Sequence, residues 1–259
     1  MPAMLSPDDI AAIERATLDA VCPAEVHEIP GWLLPYDPLP IGRAQSAVPL
    51  SHSALSLEAL HTVQAHYQQR DWPTVFRLPE HVLSPAVTAA LPTMGYAPDA
   101  PVHVQVAPTQ KLLELAASEQ VVIQARPTPP WASVYTADGF DPQDGANRVQ
   151  LLSRSAHAVY AHVEREGQTL AAGVGVGVIS RGWLSLHGMR TRPSAQGQGL
   201  ASQILAGLAA HALAKGIERV FLQVEASNTV ALGLYQKAGF ATAWRYQYWR
   251  SHKHIAPHS

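Results

Sequence analysis

In the first half of the chain, segments with two different spacings of apolar residues follow one another. Apolar residues at intervals of three or four predict a helix, and apolar residues at every second position predict a strand. The first helix is predicted from Pro7 to about Cys22, because Ser6 can cap it and proline suits a first helical turn. Beyond a proline-rich crossing at 30–49, the predicted order is helix, strand, helix, strand, at residues 56–70, 74–78, 85–94 and 102–106.

The second half has a denser pattern, in which three strands precede alternating helices and strands. Turns at Glu166-Gly167 and at Ser180-Arg181-Gly182 separate the three strands and favour antiparallel neighbours. The predicted elements are a helix near 149–155, strands at 156–164, 169–179 and 183–189, a helix at 199–215, a strand at 220–224, a helix at 229–238 and a strand at 240–249. This order predicts an α+β (mixed α/β) fold, with a mixed, mostly antiparallel sheet flanked by helices, rather than a doubly wound dinucleotide fold.

Glycine occupies alternate positions from Gly173 to Gly177 within one of these strands. The repeat leads into a turn and another strand rather than into a helix, so it does not predict a dinucleotide-binding loop. It predicts a strand with one bare face, against which a neighbouring element or a substrate packs.

Three prolines cluster between the two halves, at Pro127, Pro129 and Pro130. Proline-rich stretches with few apolar positions are typical of domain boundaries. We therefore predict two domains, at residues 1–124 and 125–259.

Composition and charge narrow the class of protein. With 47% hydrophobic and 15% charged residues, the chain is typical of a soluble globular protein. Its 18 basic and 20 acidic residues provide no excess of positive charge for binding nucleic acid.

No apolar run reaches the length of a membrane span, and residues 1–10 do not resemble a signal peptide, so a cytoplasmic protein is expected. The single cysteine, Cys22, excludes an internal disulfide and a thiolate metal cluster. The histidines at 252–258 are interpreted as a frayed terminus.

The run Gln196-Gly197-Gln198-Gly199-Leu200-Ala201 stands between a predicted strand and a long predicted helix. Its glycines remove side chains where a phosphate must approach. The free N–H groups and the dipole at the start of the helix supply positive potential. A pyrophosphate-binding loop is predicted here, although paired glycines at such a junction also serve simply to make a tight turn.

These residues resemble the fingerprint of the GNAT superfamily of N-acetyltransferases, Arg/Gln-x-x-Gly-x-Gly/Ala, at Gln196, Gly199 and Ala201. The likeness extends upstream to Met189-Arg190-Thr191-Arg192-Pro193 and downstream to a second block at 228–240. The resemblance implies a GNAT fold with acetyl-CoA as cosubstrate and no metal. It also implies transfer of the acetyl group to a primary amine by direct attack in a ternary complex.

The resemblance also implies roles for individual residues. A splayed strand edge from Met189 to Thr191 would hydrogen-bond the pantetheine, and Asn228 would cap a helix and add a cofactor contact. Tyr235 would protonate the departing thiolate, the alternative being an amphipathic tyrosine in the core. The cofactor-binding residues expected on this basis are Met189, Arg190, Thr191, Gln196, Gly197, Gln198, Gly199, Leu200, Ala201, Asn228 and Tyr235.

The general base is not settled by the sequence. Some members of the superfamily carry a glutamate twelve residues before the tyrosine, where this chain has Gln223, and a glutamine cannot accept the proton. Glu225 lies two residues further on and therefore on the same face of the strand. His187, on the strand leading to Met189, is the second candidate, because an unperturbed imidazole has a pKa near 6.5.

The first half lacks a glycine-rich loop, yet its closing order of elements imitates that of the second half. It is similar to the first unit of tandem GNAT acetyltransferases, which has lost its cofactor loop. Trp32 and Gly42-Arg43-Ala44 resemble the early strand region of such a unit. This half either closes over the second sheet and shapes the acceptor pocket or serves as a structural prop.

Two functional classes therefore remain, an N-acetyltransferase and a catalytically inactive acetyl-CoA-binding or regulatory protein. Tyr235 favours the enzyme, since a binding module needs no acid for a leaving group. The expected acceptor is a small-molecule or peptide amine, and the expected assembly is a monomer or homodimer. The acceptor itself is not revealed, because its pocket is formed by variable loops.

Overall fold

The computed structural model describes residues 5–117, 120–164 and 170–251. The helices are α1 (Pro7–Val21), α2 (Gly42–Gln45), α3 (Leu57–Gln68), α4 (Pro85–Thr93), α5 (Pro129–Ala132), α6 (Pro142–Leu152), α7 (Leu200–Leu213) and α8 (Thr229–Lys237). The strands are β1 (Glu25–Ile29), β2 (Trp32–Tyr36), β3 (Val48–Pro49), β4 (Val75–Pro79), β5 (Tyr96–Pro98), β6 (Val102–Pro108), β7 (Val121–Gln124), β8 (Ala158–Glu164), β9 (Ala171–Ser180), β10 (Trp183–Thr191), β11 (Arg219–Glu225) and β12 (Ala241–Ser251).

Most of the strands form one nine-stranded sheet, in the order β4-β12-β6-β11-β10-β9-β8-β7, with β5 paired to the end of β12. The pair β10 and β11 is parallel, and the other pairings of the described sheet are antiparallel. Strands β1, β2 and β3 form a separate small sheet. The predicted mixed, mostly antiparallel sheet flanked by helices is confirmed.

The two halves of the chain exchange strands within the large sheet. Strand β6, from the first half, lies between β11 and β12 of the second half. In return, β12 passes beyond β6 and its far end lies between β4 and β5, pairing Trp249 with both Phe76 and Pro98. Each half thus completes the sheet of the other. The division at residues 124 and 125 stays a prediction, because the halves are joined through these strands.

Helices cover both faces of the sheet. Leu205 and Leu208 of α7 share one core cluster with Tyr235 of α8 and with Leu222 of β11. On the opposite face, Ile13 of α1 packs with a cluster that joins both halves of the chain. The other members of that cluster are Ala16, Val102, Val104, Trp183, Phe221, Trp244 and Tyr246. We call these surfaces the α7 face and the α1 face.

The bare glycine face of β9 is filled by α7. A Cβ atom on Gly175 would lie 2.8 Å from a methyl group of Ile204, and one on Gly177 would lie 3.0 Å from a methyl group of Leu208. Separations below about 3 Å require the neighbouring helix to shift, so the alternate glycines allow α7 to approach the sheet closely. Of the two interpretations offered by the sequence, packing of a neighbouring element is the one observed.

Most predicted elements are found within a few residues of their expected bounds. The capped start of α1 is confirmed, because the Ser6 and Asp9 side chains form a reciprocal capping box. Strands β1, β2, β3, β5 and β7 were not predicted as elements. Of the residues likened to the early strand region of a tandem unit, Trp32 begins β2, whereas Gly42-Arg43-Ala44 begin α2. The predicted turn at Glu166-Gly167 and the terminal histidines lie outside the described residues.

A buried ion pair fastens α1 to the edge of the sheet. Arg77 Nη1 of β4 lies 2.8 Å from Glu14 Oε2 of α1, and both side chains are 1% exposed. His52 Nε2 approaches the same carboxylate at 3.7 Å. Removing one partner of such a pair is costly, because it leaves the other charge buried and unpaired.

We therefore expect Arg77→Met to lower the free energy of unfolding by about 3–5 kcal/mol in urea denaturation. The double variant Glu14→Leu/Arg77→Met is expected to recover part of the loss, since it removes both charges. Arg15→Met is the matched control, because Arg15 pairs with Glu28 near the surface of the same helix and such pairs contribute less than about 1 kcal/mol. Equal effects of Arg77→Met and Arg15→Met would contradict the assigned role of the pair.

Candidate active site

A gap opens in the sheet where β10 and β11 separate. The two strands are in register only from Leu184 and Val220 to Leu186 and Leu222. Strand β11 continues to pair with β6 up to Glu225, while β10 bends away. Beyond this point, the edges of β10 and β11 that face each other are unpaired in the described sheet, although each strand keeps its neighbour on the other side. This fits the splayed edge expected near Met189.

A bulge in β10 directs that bend. The register with β9 shifts between His187 and Arg190, so that Gly188 and Met189 pair with neither neighbouring strand in the described sheet. Gly188 has a φ of +59°, and a Cβ there would lie 2.4 Å from Tyr135 Oη. Tyr135 donates its hydroxyl hydrogen to the Gly188 carbonyl. Burial raises the pKa of the Tyr135 phenol, so the phenol stays protonated and remains a donor. Glycine is required at position 188 because its φ is positive and because Tyr135 leaves no room for a side chain.

The predicted phosphate loop lies between the end of β10 and the start of α7. Gly197 and Gly199 have φ values of +74° and +76°, and a Cβ at either would meet no atom within 4 Å. Residues 196–199 are exposed, whereas the flanking Ala195 and Leu200 are buried and anchor the loop. Gly199 occupies the cap position of α7 without a side-chain hydrogen bond. The first amides of the helix are therefore open to an anion from solvent.

Arginine side chains tie β10 and the start of this loop to the region of α5 and α6. Arg192 Nη2 donates to Ser133 Oγ at 2.7 Å, and its Nε donates to the Ala171 carbonyl at 2.8 Å. Arg190 lies over the Phe140 ring, 4.4 Å from its centroid, and reaches Asp144 at 3.4 Å. The Arg190 side chain is thus used for support, which leaves its backbone for the expected contact with a cofactor.

Helix α8, which follows β11, carries one of the expected residues, and another caps it. Asn228 caps the helix, since its Oδ1 accepts the Ala231 N–H at 3.1 Å. Tyr235 is 7% exposed and belongs to the cluster of the α7 face, with its ring 5.7 Å from that of Phe240. Burial raises the pKa of Tyr235 to about 12. The phenol therefore keeps its proton at neutral pH and is able to donate it.

The other expected catalytic residues lie on the α1 face. Gln223 is fully engaged, because it donates to Thr17 Oγ1 at 2.8 Å and accepts from Tyr246 Oη at 2.8 Å. Glu225, two residues along and beside Val102 of β6, is exposed. Tyr235 and Glu225 thus lie on opposite faces of the sheet.

His187 faces the same side from β10, across the gap from Gln223. It is 3% exposed, and neither ring nitrogen has a hydrogen-bond partner within the described residues. Burial lowers the pKa of His187 to about 3, and the nearby charge of Arg43 contributes to the shift. The imidazole is therefore neutral at pH 7 and a weak proton acceptor.

Several residues at this site were not predicted from the sequence. Thr17 and Tyr246 hydrogen-bond Gln223 on the α1 face, and the charge of Arg43 acts on His187; all three come from elements distant in the chain. The sequence marked only Arg43, as part of Gly42-Arg43-Ala44. Among the residues with assigned structure, no group of three or more His, Cys, Asp or Glu side chains is arranged to hold a metal ion. No helix within the same residues is both long and apolar enough to cross a membrane.

The chain matches a known protein family over nearly its whole length. A family model described as "Probable histone acetyltransferase Rv0428c C-terminal" matches residues 8–249. No curated protein sequence matches the chain significantly.

Solved structures with the same fold include several acetyltransferases. A GCN5-related N-acetyltransferase from Kribbella flavida has a TM-score of 0.67 at 14% identity, covering 94% of this chain and 95% of that one. A tandem GNAT protein from the clavulanic acid biosynthesis pathway has a TM-score of 0.59 at 12% identity, covering 95% and 96%. A functionally unknown protein from Staphylococcus epidermidis has a TM-score of 0.67 at 14% identity, covering 93% and 99%. At these identities the likeness shows the fold, which is the GNAT fold in tandem.

The low pKa of His187 has a measurable consequence for stability. Between pH 6.5 and about 3, the unfolded chain binds a proton at this residue while the folded chain does not. Acidification through this window therefore lowers the free energy of unfolding by about 1.4 kcal/mol per pH unit through this residue. We expect His187→Gln to reduce the slope between pH 6.5 and 5 in urea denaturation, while His61→Gln, on the exposed surface of α3, leaves it unchanged. An unaltered slope in His187→Gln would contradict the assignment.

Proposed function

The chain belongs to the GNAT acetyltransferase family described as the C-terminal part of the probable histone acetyltransferase Rv0428c, and we propose that it acetylates a primary amine with acetyl-CoA in a ternary complex. The observation that carries the proposal is the gap between β10 and β11. A glycine loop lies between the end of β10 and the start of α7, and the proposed acid, Tyr235, and the proposed base, Glu225, lie on opposite faces of the sheet.

The residues at the gap fit acetyl-CoA. The open space above Gly197 and Gly199 and the uncapped start of α7 suit a pyrophosphate. The unpaired backbone at Gly188 and Met189 suits the amides of a pantetheine. The residues proposed to hold the cosubstrate are Met189, Arg190, Thr191, Gln196, Gly197, Gln198, Gly199, Leu200, Ala201, Asn228 and Tyr235.

When bound, acetyl-CoA supplies a thioester whose C–S bond breaks as the acceptor nitrogen forms its bond to the acetyl carbon. Tyr235 gives its phenolic proton to the departing sulfur, and its raised pKa keeps that proton in place beforehand. Glu225 accepts the proton lost by the amine, directly or through one water molecule. Backbone N–H groups of the bulge in β10 stabilise the charge on the carbonyl oxygen.

The assignment of the base rests on exposure. Glu225 is exposed at the end of β11, where an amine and its proton have access. His187 is 3% exposed, and both of its ring nitrogens are buried. Glu225 is therefore the better candidate.

A catalytically inactive binding protein is the second candidate and has less support. It would require the cofactor loop and the gap but no acid for a leaving group. Tyr235 keeps its phenolic proton at neutral pH, and the resemblance to the superfamily implies that it serves as this acid. The enzyme therefore accounts for a residue to which a binding protein gives no role.

The phosphate loop is tested by Gly199→Glu, which adds a carboxylate at the start of α7. We expect acetyl-CoA binding to fall by at least about tenfold in calorimetry, because the new charge repels the phosphates. Gly216→Glu is the matched control, since Gly216 has a φ of +74° and the same open space but follows α7 at its other end. Equal loss of affinity in both variants, or none in Gly199→Glu, would contradict the placement of the pyrophosphate.

The acid and the base are tested together by Tyr235→Phe and Glu225→Gln. Both variants are expected to bind acetyl-CoA normally and to release thiol about 100-fold or more slowly with an amine acceptor. Raising the pH is expected to restore part of the rate in Glu225→Gln, because the amine then loses its proton to solvent. Wild-type rates in Tyr235→Phe would contradict the role of Tyr235 as the acid. Binding of acetyl-CoA by the wild type without thiol release for every amine would instead favour the inactive binding protein.

A further inference from the structure

Helix α2 of the first half carries a cationic residue, Arg43, and packs on the α1 face. A Cβ atom on Gly42 would lie 2.8 Å from Tyr248 Cζ, so the backbone of α2 rests directly on the ring of that tyrosine. Tyr248 Oη in turn lies 3.3 Å from Tyr246 Oη, which donates to Gln223 of β11. The next residue of α2, Arg43, is therefore held on the α1 face, where these two tyrosines connect to β11.

The charge of Arg43 acts on residues of the α1 face. It contributes, after burial, to the lowered pKa of His187 on β10. It acts against the raised pKa of Tyr246 on β12, which results chiefly from burial. Glu225, the proposed base, lies on the same face.

The buried carboxylates of this region form ion pairs with other arginines. Asp37, a few residues before Arg43, is fully buried, forms an ion pair with Arg154 and accepts the N–H groups of Ala24 and Leu39 at 2.9 Å each. Glu14 is paired with Arg77. Among the residues that the structure describes, Arg43 forms no ion pair and no hydrogen bond, although it is half-buried.

His187 adds a second unsatisfied group at the same place. Both of its ring nitrogens are buried without partners in the described structure. A buried polar group without a hydrogen bond costs free energy, and native structures rarely retain one without a reason. The guanidinium of Arg43 and the imidazole of His187 are both hydrogen-bond donors without an acceptor in the described part of the chain. An anion bound on this side of the gap would supply one.

We propose that Arg43 binds a carboxylate of the acceptor, so that the substrates are small amines that also carry a carboxylate, such as amino acids. This inference rests on the proposed acetyl transfer and names its substrate class. The planar guanidinium binds a carboxylate through two parallel hydrogen bonds, and neutral His187 supplies one further N–H donor. A lysine-rich peptide is disfavoured at this site, because its charges are repelled by Arg43.

The proposal is tested with the twenty L-amino acids, the corresponding amino acid amides, and β-alanine and 4-aminobutyrate. Thiol release from acetyl-CoA and calorimetric binding to the complex of the protein with CoA are measured for each. We expect at least one acid to exceed its amide by about tenfold or more in kcat/KM, because a charge-assisted pair is lost in the amide.

Arg43→Met is expected to raise KM for that acid by about tenfold or more and to reduce the preference over the amide to about twofold, with kcat less affected. Arg43→Lys is expected to retain part of the preference. Arg15→Met, whose arginine pairs with Glu28 outside the site, is the control and is expected to match the wild type. The melting temperature of each variant confirms that it is folded.

The two measurements separate failure of the inference from failure of the proposed function. Arg43-dependent binding of an acid without thiol release would support the carboxylate site and contradict acetyl transfer. Thiol release with equal rates for acids and amides, or with a lysine-rich histone peptide as the best acceptor, would overturn the carboxylate site while leaving acetyl transfer intact. Absence of any acid binding would overturn it as well.

Discussion

The separation of β10 from β11 after three residue pairs is the constraint on which the rest of the site depends. A parallel pair normally satisfies the backbone of both strands, so ending it early requires compensation. Here β11 keeps β6 along its other edge, and the bulge of β10 is held by Tyr135. Both strands are therefore anchored beside the opening, and α7 and α8 follow them in the chain.

The exchange of strands brings the first half of the chain to the gap. Because β6 lies between β11 and β12, the first half supports the strand that carries Gln223 and Glu225. Helix α1 then covers the α1 face through Ile13 and Thr17, and α2 rests against Tyr248. Under the proposed function, the acceptor would approach on this α1 face. The first half would then help to shape the acceptor side.

Features that depend on local sequence could be predicted, and those that depend on distant pairing could not. The glycine loop, the Asn228 cap and the shared face of Gln223 and Glu225 follow from spacing within one element. The strand exchange involves residues more than 100 positions apart, and β2 was hidden by its proline. The surroundings of His187 illustrate the same limit, because its burial and low pKa depend on how the other half packs against it. From the sequence, Arg43 was recognised only as part of Gly42-Arg43-Ala44. In the structure this motif begins α2, and Gly42 packs tightly against Tyr248.

The most direct test of this account is a crystal structure of the full chain with acetyl-CoA bound. The account predicts the pyrophosphate at residues 196–201 and the pantetheine between β10 and β11. It also predicts the thioester within reach of Tyr235 on the α7 face and of Glu225 on the α1 face. A cosubstrate bound elsewhere, or a gap closed by pairing of β10 with β11 beyond Leu186, would contradict it.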